Sequence, residues 1–355
     1  MHLPDGFASG AVNAAGAACA AAAVGYSAWR FRRDSARRPQ LAPLTATTAA
    51  FVFAAQMLNF PVAAGTSGHF LGAAAVAALL GPWSACLVMA LVLVIQCLLF
   101  ADGGVTALGT NILNMGLVAG LAGYALMRAL RALLPSGRTG YILSAAAAGW
   151  AGTVAAAAAC ALELAASGTS PLRLALPAMA GVHAVIGVGE ALITAAVLSA
   201  VCAARPDLLP GWAGLAPRRS SGRPEPPEAR PLRAGDAVAP PVSGGDRLGR
   251  RAWGLFAGGA LLAVVLAALV SPLASDRPDG LERVAADQGF EARAEGHGVW
   301  KGAPLPDYEV PGVAGAGPAT GLAGLAGVAA VFAAGYVAIR LWTGRAGAAG
   351  RRTAG

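Results

Sequence analysis

The chain begins "MHLPDGF", with a histidine directly behind the initiator methionine. A free α-amine, the amide nitrogen of residue 2 and the Nδ1 of a histidine at that position can close two fused chelate rings. The first ring is five-membered, from amine to amide nitrogen. The second is six-membered, from amide nitrogen to imidazole. A deprotonated amide nitrogen is a strong in-plane donor, and a nitrogen from another imidazole would complete a square plane. Tetragonal nitrogen coordination favours Ni(II) or Cu(II), whereas Zn(II) prefers a tetrahedron and Mg(II) or Ca(II) prefer oxygen. The chelate requires that Met1 be retained, and a residue as bulky as His2 disfavours its removal. Of the chain's four histidines, His69 stands in a second short motif, "GTSGHF". Whether His2 and His69 can meet depends on the elements between them.

Those elements read as membrane spans. The 355 residues are 56% hydrophobic and only 12% charged, against about a quarter charged in an ordinary globular protein. Apolar runs long enough to cross a hydrocarbon core of about 30 Å recur near 9–29, 41–60, 68–80, 83–101, 107–128, 140–166 and 176–204, and again at 253–272 and 314–340. No lysine or arginine precedes the first run, so the start is not expected to be a secretory signal peptide. With the N-terminus outside, the inner face receives the basic clusters at 30–38, 128–138, 205–251 and 340–352, which hold 21 of the 26 basic residues. That is the bias of the positive-inside rule. The second run then leaves the membrane on the outer side at "NFPVAAGTSGH", where Pro61, Gly65 and Gly68 break it. Irregular backbone near membrane depth is tolerated where protein buries it or it lines a cavity. His2 and His69 are therefore expected to converge on the outer face.

These stretches carry a family resemblance. "MHLPDGF", the run "LNFPVAAGTSGHFLGAAAVAALLGPWSACLVMALVLVIQCLLFADGGVTALGTNILNMG" and "GVHAVIGVGEALITAAVL" resemble the CbiM/NikM-type substrate-capture subunits of cobalt and nickel energy-coupling-factor (ECF) transporters, over roughly residues 1–210. The resemblance implies a seven-helix core with an outside N-terminus. It also implies a metal held in a square plane by nitrogens of Met1, His2 and His69. Further on, "SDRPDGLERVAADQGF" and "PLPDYEVPGV" look like the small NikN-type accessory subunit named for its PDGLE motif.

Other polar residues suggest supporting roles. Intramembrane ionisable groups are functional candidates by default; His183 and Glu190, seven apart on one helix face, are read mainly as packing and hydrogen-bonding groups. Asn59, Asp102, Asn111 and Asn114 fall near span ends, where they could orient ligands from behind. The segment 273–313 carries 8 acids against 4 bases and reads as a solvated loop, with its acids outside the metal site. The five cysteines all lie in apolar runs and read as small core residues. The net charge of +8 follows the topology rather than forming a nucleic-acid surface.

The chain holds a single lysine, Lys301, in "VWKGAP". A phosphate-binding loop of the Walker type needs a lysine followed by Ser or Thr, and the sequence has neither that nor an HExxH motif. It therefore reads as a carrier and not an enzyme. The resemblance implies that a transmembrane coupling (T) subunit and a pair of cytoplasmic ATPases supply the energy. The expected fold is an all-α polytopic membrane protein: a seven-helix core with an outside N-terminus, plus a C-terminal two-helix transmembrane hairpin with an extracytoplasmic loop. The expected parts are a metal-binding membrane core over 1–212, a cytoplasmic Pro/Arg-rich linker over 213–250, a PDGLE-type accessory hairpin over 251–345 and a basic cytoplasmic tail over 346–355. The expected role is Ni(II) import across the plasma membrane with no permanent cofactor. The alternatives are Co(II) import for cobalamin synthesis, or a membrane metal sensor or scaffold without transport.

Overall fold

The computed structural model describes residues 1–38, 40–62, 65–209, 245–294 and 300–349. Most of the stretch read as a linker, and His297, lie outside the described residues. Helix α1 (Gly10–Arg37) starts at Ser9, whose side chain accepts from the Val12 amide, the usual satisfaction of an orphan helix donor. It leads into α2 (Leu41–Gln56), a two-residue antiparallel ladder of β1 (Phe60–Pro61) with β2 (Ser67–Gly68), and α3 (Ala73–Leu80). Then follow α4 (Pro82–Phe100), α5 (Leu108–Leu133, π-helical over Ile112–Ala122), α6 (Arg138–Ala166) and α7 (Leu172–Ala204). Beyond these lie α8 (Gly245–Val265), the short α9 (Gly280–Gln288) and α10 (Ala316–Ala349). Helix α8 thus begins inside the stretch that reads as linker.

Among the described residues seven helices are long and apolar enough to cross a membrane. Five belong to the first 208 residues, and Phe256–Leu273 and Ala316–Ala338 make up the other two. The second expected span is α2, only 16 residues long. The third expected span, 68–80, is not a full crossing: α3 has 8 residues, about 12 Å at 1.5 Å per residue. The physical reason lies at its ends, where Gly72 and Gly81 take positive φ of 86° and 93°, conformations that only glycine adopts freely. Residues Ala73 to Ala78 are all buried, so this short helix is enclosed by protein, as an incomplete crossing at membrane depth requires.

Small residues set the closest helix approaches. An added Cβ on Gly16 of α1 would lie 2.5 Å from Thr110 Oγ1, and one on Gly109 would run into the Ala17 backbone; α1 and the start of α5 therefore touch backbone to backbone, the mode typical of membrane helices. Helices α6 and α7 run side by side, and α8 and α10 pack on α2, whose side chains are largely buried as a result.

Candidate metal site

The N-terminal residues do not trail free; they are threaded into one end of the bundle. Leu3 is fully buried and anchored at both backbone polar groups. Its amide donates to Asn111 Oδ1 at 2.8 Å, and its carbonyl accepts from Asn111 Nδ2 at 3.1 Å and the Gly104 amide at 2.8 Å. Two residues on, Asp5 accepts from the amides of Val105 and Thr106 and from the Thr106 hydroxyl. Thr169 donates to the Phe7 carbonyl at 2.5 Å, and the Ser9 amide donates to Ser167 at 2.9 Å. Leu3, Asp5, Phe7 and Ser9 are thus each tied to the bundle by a hydrogen bond. The α-amine is thereby delivered to a fixed place.

His69 reaches that place from the other side. The loop carrying it is held from within the bundle by Glu190 of α7, whose carboxylate accepts from Leu71 N at 2.6 Å and Gly72 N at 2.9 Å. The His69 ring Nδ1 lies 3.2 Å from the Phe70 carbonyl, and its Nε2 lies 3.1 Å from the Met1 amine nitrogen. The rings of His2 and His69 have centroids 5.4 Å apart. Met1, His2 and His69, picked out from sequence alone, are thus gathered at one point. His183 stands close by: with Met1, Gly68, His69, Leu71, Thr153, Ile186, Asp279 and Gly280 it lines a small cavity, while its Nδ1 sits 2.8 Å from the Met179 carbonyl.

Two carboxylates meet the nitrogens. Asp102, just past α4, pairs with His2 Nδ1, and Asp279 pairs with the Met1 amine. Asp102 also accepts from the Tyr308 hydroxyl at 2.5 Å. The His2 Nε2 is buried with no hydrogen-bond partner. In this arrangement Nδ1 faces Asp102, so ring closure through the same nitrogen and the Asp102 bond are alternatives. Of the other polar candidates, Asn111 orients the N-terminal segment. Asn114 pairs instead with Glu163 at 2.6 Å, and Asn59 offers its carbonyl to Ser275 N. The acids of 273–313, read from sequence as solvated, divide: Asp279 is inside the site. The only trace of this in the sequence is the Pro-Asp-Gly turn of its motif.

The electrostatics suit a cation. Burial, then the neighbouring amine and His2, lower the His69 imidazole to about 3, so it stays neutral with its lone pair available. Burial works against ionisation of Asp102, yet the charge and hydrogen bond of His2 and the hydroxyl of Tyr308 outweigh it and hold that acid at about 2. Asp279 is likewise held far below the usual carboxylate range, burial being overcome by the Met1 amine and His69. Burial disfavours the charged amine, but Asp279 overcomes this and raises it above its ordinary value. Among the described residues no group of three His, Cys, Asp or Glu side chains is arranged to hold a metal. A metal here would draw on main-chain nitrogen as well as imidazole.

A many-helix membrane bundle with nitrogen donors gathered at one end is the plan of a transition-metal transport component. Residues 2–208 match the family model described as the cobalt uptake substrate-specific transmembrane region (CbiM), and 253–344 match the PDGLE domain. The chain belongs to the CbiM family, fused to a PDGLE domain. It is 42% identical over 211 residues to a putative fused nickel transport protein NikMN of Archaeoglobus fulgidus, covering 59% of this chain and 68% of that one. It is 35% identical over 239 residues to the fused nickel transport protein NikMN of Rhodobacter capsulatus, covering 63% and 67%. A crystal structure described as a truncated transition metal transporter superposes with a TM-score of 0.51 at 36% identity, over 57% of this chain and 99% of that one.

Proposed function

We propose that this chain is the substrate-specific component of an ATP-driven ECF-type importer and binds Ni(II) through the Met1 amine, the His2 amide and Nδ1, and His69 Nε2. The observation that carries the reading is the approach of the Met1 amine to His69 Nε2, 3.1 Å apart, with the His2 ring alongside. A half-buried imidazole and an α-amine at that separation are donors for one metal ion. His69 enters neutral, and Asp102 and Asp279 supply the negative charge that a divalent cation loses on leaving water. The ion is cargo, and no resident cofactor is invoked. Four nitrogen donors in a plane would favour nickel, and relatives described as nickel transport proteins support it over cobalt.

In this reading residues 1–212 form the metal-binding membrane core, 213–250 a cytoplasmic linker, 251–345 the accessory hairpin and 346–355 a cytoplasmic tail. The N-terminus faces outward in the plasma membrane. A coupling subunit and a pair of ATPases complete the importer, because the only lysine, Lys301, cannot form a phosphate-binding loop. Nickel uptake that persists in cells lacking those ATPases would instead leave a sensor or scaffold. The direct test of the ligand set is to add a few residues before Met1. The extension is of two or more residues, because a single added residue would make His2 third in the chain and let the new amine, two amides and the imidazole form a square plane of their own. With the longer extension the Met1 α-amine is an ordinary amide, and no such rings close around His2. Nickel titration of the extended protein should show no high-affinity binding and no absorption band of the low-spin square-planar ion. An unchanged affinity and band would sink the ligand set.

A further inference from the structure

The five residues Pro278, Asp279, Gly280, Leu281 and Glu282 each make a specific contact at the candidate metal site or at the helix that begins there. The Pro278 carbonyl accepts from Ser67 N at 2.9 Å, beside the Ser67 hydroxyl, which donates to the Arg277 carbonyl at 2.6 Å. This ties the segment to the strand just before His69. Asp279 divides its carboxylate. Oδ1 caps α9, accepting from Leu281 N at 2.8 Å and Glu282 N at 2.9 Å, while Oδ2 meets the Met1 amine. Glu282 completes the capping box by accepting from Asp279 N at 2.8 Å, a reciprocal arrangement that fixes the cap residue's orientation. Leu281 is buried at 1% exposure. Gly280 lies flat on His183: a Cβ there would stand 2.6 Å from His183 Cε1 and 2.9 Å from Ile186 Cδ1, so only glycine lets the segment seat.

The far end of the same segment makes a second attachment. Leu305 N donates to the Leu99 carbonyl at 2.9 Å, and the Tyr308 ring stacks on Phe100 with centroids 4.7 Å apart. Asp307 and Tyr308 both take positive φ, 53° and 60°. Two consecutive non-glycine residues in that region carry a conformational cost that the surrounding structure must offset. The result is a phenol aimed at Asp102, which in turn holds His2.

We infer that residues 278–282, with Tyr308, are the closing wall of the metal site, Asp279 positioning the Met1 amine beside His69 and Tyr308, through Asp102, holding the His2 ring in place before the metal enters. This deepens the nickel reading and rests on it. An amine bound to a metal still carries N–H groups, so Asp279 remains its acceptor and orients it, as outer partners of metal ligands do. With the wall seated, an ion is enclosed between the two parts of the chain, and its escape requires the segment to lift.

The test is nickel release from the full-length protein into excess chelator, followed by the square-planar absorption band, for Gly280→Leu and Asp279→Asn. Gly280→Leu drives a side chain into His183 and unseats the wall. Asp279→Asn is close to isosteric and guards against a folding failure in the first variant. Both are expected to keep the band and to lose about 10-fold to 100-fold in affinity, the usual effect of removing an outer partner, with the loss expressed as faster release. Release at the native rate in both variants would overturn the wall. So would disappearance of the band in Asp279→Asn, since Asp279 would then be a ligand. His69→Ala, measured alongside, separates the two ideas: if it binds nickel as the native protein does, the metal reading itself has failed.

Discussion

At the scale of single residues the candidate site is a set of nitrogens flanked by two carboxylates, Asp102 beside His2 and Asp279 beside the Met1 amine. His69 is expected to be the indispensable side chain. His69→Ala removes the donor 3.1 Å from the amine and opens the plane to water, so high-affinity nickel binding should vanish while the protein still inserts and folds. His183→Ala, whose ring lines the cavity but is engaged with the Met179 carbonyl, should cost only about 10-fold to 100-fold. Equilibrium dialysis with elemental analysis distinguishes these outcomes, and unchanged affinity in His69→Ala would remove that residue from the ligand set. The pH dependence follows from the same groups. Burial opposes the charged amine but Asp279 outweighs it, leaving the amine above its ordinary 8.0 and therefore protonated at neutral pH. His69, lowered to about 3, is neutral throughout this range and contributes no loss. Each proton displaced by the metal makes affinity fall about tenfold per pH unit as pH drops. Nickel titrations between pH 6 and pH 8 should therefore weaken steadily toward acid; a flat profile would mean that the amine is not a ligand.

At the scale of elements, the decisive device is the short segment between α2 and α3. It is too irregular to cross a membrane, and Glu190 holds it from α7 through the amides of Leu71 and Gly72. Glu190→Ala would leave two buried N–H groups without acceptors, each costing about 1–3 kcal/mol, and would free the loop that presents His69. Thermal unfolding in detergent should shift down and nickel affinity should fall together; a variant with native melting and native affinity would show that the loop is held otherwise. Much of this was legible in the residues. Long apolar runs mark α1, α4, α5, α6 and α7 because hydrocarbon thickness demands them, and "MHLPDGF" with "GTSGH" points to Met1, His2 and His69 by donor chemistry. The region 68–80 misleads because glycine conformations, not apolarity, decide where α3 starts and stops. Asp279 was not legible as part of the site: it meets Met1 across 278 residues of sequence, and a contact between two separate modules leaves no periodic trace. The Pro-Asp-Gly turn signalled a bend but not what the bend would touch.

At the scale of the whole molecule, the site makes sense only if it opens to the side from which metal arrives. Among the described residues, arginines gather at one end of the bundle, at 30–38, 128–138 and 205, while the N-terminus, His69, Asp102 and Asp279 share the other. In the proposed topology the positive-inside bias puts the arginine-rich end in the cytoplasm and the metal site on the outer face. Two exposed residues at opposite ends, Asp276 and Ser136, offer a direct test. In a variant lacking the five native cysteines, Asp276→Cys should react with a membrane-impermeant maleimide in intact cells. Ser136→Cys should react only after the membrane is permeabilised. Because Asp276 lies three residues before Asp279, its label also reports the face on which the segment that closes over Met1 is exposed. Labelling of Ser136→Cys from outside, with Asp276→Cys protected, would invert the topology and place the nitrogens where they could receive metal only from the cytoplasm, a geometry incompatible with import.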